Sequence, residues 1–217
     1  MHHYRTLFLC TLLTFAIVAT ACSRRPRSTA DVPRVVPMAF QVTVAPFTQP
    51  TDTGELILGQ LPEDQGRIET KDLPALDTQF RHVLNGSTKR SFVFATAMPR
   101  IGTGLHSSAQ PQGLPRWLAY GRAQKAQLLL VPLVLNWHER EGSKAGVTQP
   151  AHVRLEFFLL RVSDGTVAGR SVFEEKQEGL ADNLLNVGAF IKRRGAWVSA
   201  NDLAAEAMAK AVKELGL

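Results

Sequence analysis

The feature that most constrains the fold is a pair of apolar segments joined by a tight turn. Residues 152–162 (HVRLEFFLLRV) precede the turn sequence SDG at 163–165, and residues 167–173 return from it. Every second side chain from Val153 to Leu159 is apolar, as in a strand that lays one face on a core. Because Asp-Gly suits a tight reversal between antiparallel strands, the pattern predicts a β-hairpin.

A second run, residues 128–137 (LLLVPLVLNW), is apolar enough for a central buried strand, although Pro132 interrupts it. Proline has no N–H to donate to a neighbouring strand. We therefore expect either a bulge at Pro132 or a position in the sheet where an N–H at residue 132 would have no partner. Residues 38–47 (MAFQVTVAPF) alternate apolar and polar side chains and predict a first strand, while residues 91–96 (SFVFAT) predict a short one.

Three segments have helical character. Residues 73–85 carry apolar side chains at helical spacing, and residues 117–125 (WLAYGRAQK) predict a short helix. A last helix is predicted over 199–215, with Ser199 or Asn201 as its N-cap. Together with the strands, these segments predict an α/β (α+β) domain, with a mixed sheet of about five strands, a C-terminal β-hairpin and about three flanking helices.

The amino terminus has the organisation of a secretory signal. Arg5 provides a positive region, residues 6–18 an apolar core, and residues 19–21 (ATA) the small side chains that a signal peptidase needs. The apolar stretch is shorter than the ~20 residues that span a bilayer. Small residues leading into a cysteine resemble the lipobox of bacterial lipoproteins, which implies that Cys22 is acylated, palmitate included, and becomes the new amino terminus.

Two alternatives stay open at this anchor. Ala19 stands where the lipobox usually has Leu, so ordinary cleavage that leaves a free thiol on Cys22 is the first. The second concerns which membrane holds the protein. Ser23 stands at the position where an Asp favours inner-membrane retention. The serine therefore indicates the outer membrane, with the inner membrane as the alternative. The predicted organisation is a signal peptide at 1–21, then a lipidated cysteine and flexible tether at 22–37. A single periplasm-facing domain would follow at 38–217.

Charge and cysteine content exclude several classes of function. The formal net charge is +6 with an isoelectric point near 9.7, but the basic residues cluster only within 24–27 and at 192–194. Neither cluster alternates with stacking aromatics or lies in a recognisable nucleic-acid module, so we expect no nucleic acid as partner. Cys10 lies in the signal segment, which leaves Cys22 without a disulfide partner.

An enzyme would need titratable side chains that converge. The nearest set is His138, Glu139, Glu141 and His152, which has no metal-binding spacing such as HExxH and lies where a polar hairpin end is expected. No GxSxG elbow, phosphate loop or dinucleotide fingerprint occurs. We therefore expect a solvated hairpin end and no enzyme, with no catalytic residue, metal, cofactor or small-molecule substrate.

The order of elements behind a lipid anchor is similar to that of periplasmic domains of the LpoB type, the amino-terminal domain of TolB and CsgG-like lipoproteins. Residues 126–135 (AQLLLVPLVL), 149–185 (QPAHVRLEFFLLRVSDGTVAGRSVFEEKQEGLADNLL) and 190–208 (FIKRRGAWVSANDLAAEAM) resemble an uncharacterised set of bacterial envelope lipoproteins. Gly169 and Arg170 depart from that pattern, in which an aromatic is common. The resemblance implies a TolB-N/LpoB-like fold.

By this resemblance, the domain is expected to be a non-catalytic accessory component of an envelope complex, in cell-wall synthesis or in transport and assembly, with an envelope protein as its partner. A CsgG-like secretion or pore component is the alternative, and a hydrolase is the third. The pore is disfavoured because no spare pair of amphipathic strands of ~9 to 11 residues is evident.

The candidate interaction surface lies within residues 177–197 and combines cations with aromatic side chains. Its members are Phe190, Lys192, Arg193, Arg194 and Trp197. Aromatic and basic side chains are favoured anchors at protein interfaces. Docking on an anionic membrane or on peptidoglycan carboxylates is a second interpretation, and packing along the sheet edge is a third.

Overall fold

The computed structural model describes residues 41–87, 90–96, 113–142, 147–176 and 198–217. These residues form three α-helices and seven β-strands. In chain order they are β1 (Val42–Val44), α1 (Leu73–Ser87), β2 (Phe92–Phe94), α2 (Leu114–Ala123), β3 (Leu128–His138), β4 (Glu141–Gly142), β5 (Val147–Gln149), β6 (His152–Arg161), β7 (Thr166–Lys176) and α3 (Ala200–Leu215).

Five strands form one mixed sheet in the order β2-β1-β3-β6-β7, while β4 and β5 form a separate pair. Strand β1 is parallel to both of its neighbours, and β3, β6 and β7 are antiparallel to one another in turn. The predicted hairpin is β6–β7, and its turn contains Gly165 with φ of 72°. The α+β fold class with a five-stranded mixed sheet is therefore confirmed.

Pro132 determines where β1 ends. The Ala45 N–H donates to the Leu130 carbonyl at 2.9 Å. In a parallel ladder the next bond would run from the N–H of residue 132 to the Ala45 carbonyl, and proline has no such donor. The chain leaves the ladder there and returns at Thr48, whose carbonyl accepts from Val134 N at 2.8 Å.

This arrangement refines two predictions. Within the described residues, the first strand is shorter than the predicted 38–47, because its ladder stops opposite the proline. The irregularity in the pairing of β3 with β6 lies between Val134 and Asn136 rather than at Pro132. The missing N–H faces the side on which β1 has ended, so the second of the two expected outcomes at Pro132 is the one observed.

One face of the sheet packs against α1 and α3. Ser199 caps α3 in a capping box with Asp202, which confirms the first of the two candidate N-caps. A Cβ at Gly169 would come within 2.8 Å of Leu215, so the glycine that departs from the lipoprotein pattern leaves room for α3. Apolar side chains of this core include Val42, Val44, Leu128, Leu130, Leu155, Phe157 and Leu159 of the sheet, Leu76, Phe80 and Leu84 of α1, and Leu203, Ala207 and Ala211 of α3.

The opposite face packs against α2 and against Leu56 and Ile57. Helix α2 begins three residues before the predicted 117–125 segment, with Pro115 in its first turn. The sheet contributes Ala45, Leu129, Val131, Leu133, Leu135, Phe158, Leu160 and Val162 to this second core. In the part of the chain that the structure describes, no helix has the length and apolar content to span a membrane.

Candidate functional site

The second face of the sheet changes from apolar to polar toward the start of β6. His152, Arg154 and Glu156 alternate along β6 and therefore share a face with Phe158 and Leu160. The residues opposite His152 and Arg154 on β3 and β7 are also polar, whereas Glu156 lies opposite Leu133 and Val172. We refer to the connected side chains as the polar row, which consists of Asn136, His152, Glu174, Arg154, Glu156 and Arg170.

Glu156 is the buried centre of this row, with a side chain 1% exposed. Arg170 binds it through Nε and Nη2, at distances of 2.8 to 3.1 Å. Arg154 Nη2 donates to the same carboxylate at 3.1 Å. The Arg170 guanidinium also lies 5.4 Å from the centre of the Phe158 ring. A buried carboxylate needs such charge-assisted partners, and here two strands supply them.

Glu174 extends the row along β7. Its Oε2 accepts from Arg154 Nη1 at 3.3 Å, and its Oε1 lies 3.6 Å from His152 Nε2. Unlike Glu156, this carboxylate is 46% exposed. Arg154 therefore joins one buried carboxylate to one that faces solvent.

Asn136 ties the row to the segment that crosses the end of β3. Its Oδ1 accepts from Gly66 N at 2.6 Å, and its Nδ2 lies 2.9 Å from His152 Nδ1. The Gly66 carbonyl accepts from Trp137 N at 3.2 Å and from Gln49 Nε2 at 2.8 Å. A Cβ at Gly66 would collide with the Trp137 carbonyl oxygen, so this close approach requires glycine.

The predicted polar set around His138 is only partly solvated. The rings of His138 and His152 stack with centroids 6.0 Å apart, and their side chains are 23% and 17% exposed. Glu139 Oε1 accepts from Ala200 N at the start of α3, whereas Glu141 is exposed in β4. Glu139 and Glu141 are exposed, as expected of a solvated hairpin end, whereas the two histidines are half-buried, His138 beside Gly66 and His152 beside Asn136.

Burial lowers the pKa of His152, and the neighbouring Glu174 carboxylate opposes that shift. On the other face of the sheet, burial raises the pKa of Asp77. Among the described residues, no group of three or more His, Cys, Asp or Glu side chains is placed to hold a metal ion.

An open cleft of about 710 Å³ lies next to Gly66 in the chain, and none of the polar-row side chains lines it. The segment that begins at Gly66 continues directly into one wall of the cleft. Arg116 pairs with Glu55 across the cleft at 3.3 Å, and Thr48 Oγ1 is a buried hydroxyl without a hydrogen-bond partner among the described residues. The lining residues are Thr48, Gln49, Pro50, Thr51, Glu55, Arg67, Ile68, Glu69, Thr70, Leu73, Arg116, Trp117 and Leu133.

The site residues predicted from the sequence lie elsewhere in the chain. Cys22 and the candidate surface of Phe190, Lys192, Arg193, Arg194 and Trp197 lie outside the described residues. Of the polar row, only His152 belongs to the titratable set around His138 that the sequence indicates. The signal of the row in the sequence is the Arg-x-Glu of 154–156 within an otherwise apolar strand, where charges need partners from neighbouring strands.

No protein-family model and no curated protein sequence matches this chain. Solved structures to which this chain is similar include the PelC dodecamer from Paraburkholderia phytofirmans, at 16% identity and a TM-score of 0.46, with 84% of this chain and 91% of that chain covered.

Two further structures are less similar. A Xanthomonas campestris protein of family DUF330 is 12% identical, with a TM-score of 0.40 and coverage of 85% of this chain and 89% of that one. Lipoprotein GNA1162 from Neisseria meningitidis is 8% identical, with a TM-score of 0.37 and coverage of 71% and 97%. Likeness at this level supports no inference about function, and the specific resemblance to LpoB-type, TolB and CsgG-like domains stays a prediction.

Proposed function

We propose that this chain is a lipid-anchored envelope protein whose α+β domain acts as a non-catalytic binding component of an envelope complex. The observation that carries the proposal is the amino-terminal sequence, in which an apolar core and the small residues 19–21 lead directly into Cys22. Acyl chains on Cys22 would fasten the protein to a membrane without spanning it. Ser23 supports delivery to the outer membrane, with the domain facing the periplasm.

The segment after the anchor fits this role. Residues 23–37 contain three prolines and several arginines and small polar residues, a composition typical of an extended tether. Such a tether lets a folded domain reach a partner at a distance from the membrane. The basic side chains within 24–27 would lie beside the lipid headgroups, where cations favour an anionic surface.

The polar row supports binding rather than catalysis. A general base must face the proton that it abstracts, within hydrogen-bond reach. Here Glu156 is occupied by two guanidinium groups, and His152 lies between Asn136 and Glu174. Each group of the row is therefore paired with another group of the fold, an arrangement that stabilises the sheet and leaves partner contacts to other surfaces.

The proposed contact surface is the sequence-defined set of Phe190, Lys192, Arg193, Arg194 and Trp197. Aromatic anchors beside cations suit an acidic partner protein. The test is crosslinking in cells that express the wild type, Cys22→Ala, or Lys192→Glu/Arg193→Glu/Arg194→Glu, followed by membrane fractionation. Exposed Lys125→Glu/Lys213→Glu serves as a control for charge reversal.

The proposal expects the wild type in the outer-membrane fraction, crosslinked to one reproducible envelope protein. Cys22→Ala should leave the membrane fraction, and the triple reversal should stay anchored but lose the crosslink. The control should keep both properties. An unanchored wild type without any crosslinked envelope protein would contradict the proposal, and rings of the wild type in detergent would favour a CsgG-like component instead.

A further inference from the structure

Two hydrogen bonds define the protonation state of His152. The Gly66 N–H can only donate, so the Asn136 atom 2.6 Å away is the amide oxygen. The amide nitrogen of Asn136 then faces His152 Nδ1 at 2.9 Å. Because that nitrogen is a donor alone, Nδ1 must accept. The hydrogen-bond pattern therefore assigns a neutral His152 that carries its proton on Nε2, toward Glu174.

A second proton on His152 is incompatible with this pattern. Protonation at Nδ1 would place an N–H against the N–H groups of the Asn136 amide. Rotation of the amide would present its oxygen to His152 but would turn its nitrogen toward the Gly66 N–H. Asn136 is 0% exposed, so water has no access to replace the lost partner. One of the two hydrogen bonds must therefore break.

We propose that protonation of His152 turns the Asn136 oxygen toward the imidazolium, because that charge-assisted bond is the stronger one, and so breaks the hydrogen bond between Gly66 N and Asn136. The Gly66 carbonyl keeps Trp137 N, and the wall of the cleft that continues from Gly66 loosens. The chain continues from Gly66 into Arg67, Ile68 and Glu69, which line that wall. Gln49 connects the two, since its Nε2 donates to the Gly66 carbonyl and its Oε1 accepts from Ile68 N at 3.2 Å. The fold therefore contains a proton-sensitive element beside this cleft.

The groups around His152 determine the direction of the response. Glu174 favours the charged imidazole, whereas burial, the stacked ring of His138 and the Lys176 ammonium disfavour it. Arg154 Nη1 donates to Glu174 Oε2 at 3.3 Å and so partly neutralises the Glu174 charge that faces His152. Asp64 Oδ1 lies 3.4 Å from His138 Nε2. Burial has the largest effect on the pKa of His152 and lowers it. His152 therefore protonates, and the Gly66 N–H loses its acceptor, only at acidic pH.

The first test is nitrogen-15 NMR of the histidine rings in the full chain, purified in detergent. The proposal expects His152 at pH 7.5 to be neutral with its proton on Nε2. A proton on Nδ1, or an imidazolium at that pH, would overturn the proposal directly. This measurement needs no variant and so does not depend on how a substitution affects folding.

The second test is amide hydrogen exchange of Gly66 between pH 7.5 and 5, corrected for intrinsic exchange. Protection of Gly66 should fall by up to about tenfold per pH unit as pH decreases from the ordinary imidazole pKa of about 6.5 toward the lowered folded pKa of His152, while the core amide of Leu159 stays protected. His152→Gln offers an acceptor that does not titrate, so its Gly66 protection should not change with pH. His138→Gln should keep the pH-dependent loss of protection but shift it toward higher pH, because it removes a ring that disfavours the charged His152. Equal loss of protection in His152→Gln would contradict the proposal.

Discussion

Asp77 of α1 accepts a hydrogen bond from the backbone N–H of Phe47 at 2.8 Å, at the point where β1 has left the sheet. Phe47 is buried and contacts the rings of Phe80 and Phe157 edge-on, with centroids 5.7 and 6.0 Å apart. The Asp77 carboxylate thus accepts a hydrogen bond from a backbone N–H that has no acceptor in the strand ladder. This bond connects the break opposite Pro132 to the packing of α1.

Replacement of Asp77 by alanine should lower the free energy of unfolding by about 1–3 kcal/mol, because the Phe47 N–H loses its acceptor. Asp77→Asn retains an acceptor oxygen and should match or exceed the wild type at pH 7. The folded pKa of Asp77 is raised, so its ionisation costs stability as pH rises through that pKa. The advantage of the asparagine should therefore disappear near pH 3. Urea unfolding of both variants at pH 7 and pH 3 measures these differences, and an asparagine variant as unstable as alanine would contradict the account.

Gly66→Ala should destabilise the protein by about 1–3 kcal/mol, because its Cβ would overlap the Trp137 carbonyl and the ring of His138. Gly86→Ala is the matched control. A Cβ there meets nothing within 4 Å, and alanine favours the helix of α1, so this change should stabilise by about 0.5–1 kcal/mol. Chemical denaturation of both variants and the wild type measures these changes in the free energy of unfolding. Equal effects of the two substitutions would show that the approach at Gly66 is not close.

Glu156→Gln should cost about 3 kcal/mol, because it leaves the guanidinium groups of Arg154 and Arg170 without their shared buried carboxylate. Glu174→Gln removes a carboxylate that is largely exposed and should cost less than about 1 kcal/mol. Thermal unfolding of both variants in the same buffer gives the comparison. A smaller loss at Glu156 than at Glu174 would be inconsistent with a buried centre of the polar row.

The pH dependence of stability should contain a contribution from His152. Its folded pKa is lowered, so this contribution is present above the ordinary imidazole pKa of about 6.5 and is lost as pH falls through the folded value. The wild type should therefore lose stability below that pH more steeply than His152→Gln. Unfolding midpoints measured from pH 8 to 5 provide the test, and parallel curves for the two proteins would rule out a contribution from His152.

The sheet and its helices were predictable because each has a strong local signal. The hairpin follows from alternation and an Asp-Gly turn, and α3 from a cap and an apolar stripe. Strand β1 ends where Pro132 of β3 has no N–H to donate. The pattern of residues 38–47 alone cannot show this. Prediction of the polar row would have required the pairing of Arg170 with Glu156, since no local pattern indicates which charges meet across β6 and β7.

The central claim of a lipid anchor is tested most directly by the intact mass of the amino-terminal fragment from membrane-purified protein. The account predicts a fragment that begins at Cys22 and carries acyl chains, absent from Cys22→Ala. A wild-type fragment that begins at Cys22 with a free thiol, or that retains residues 1–21, would contradict it.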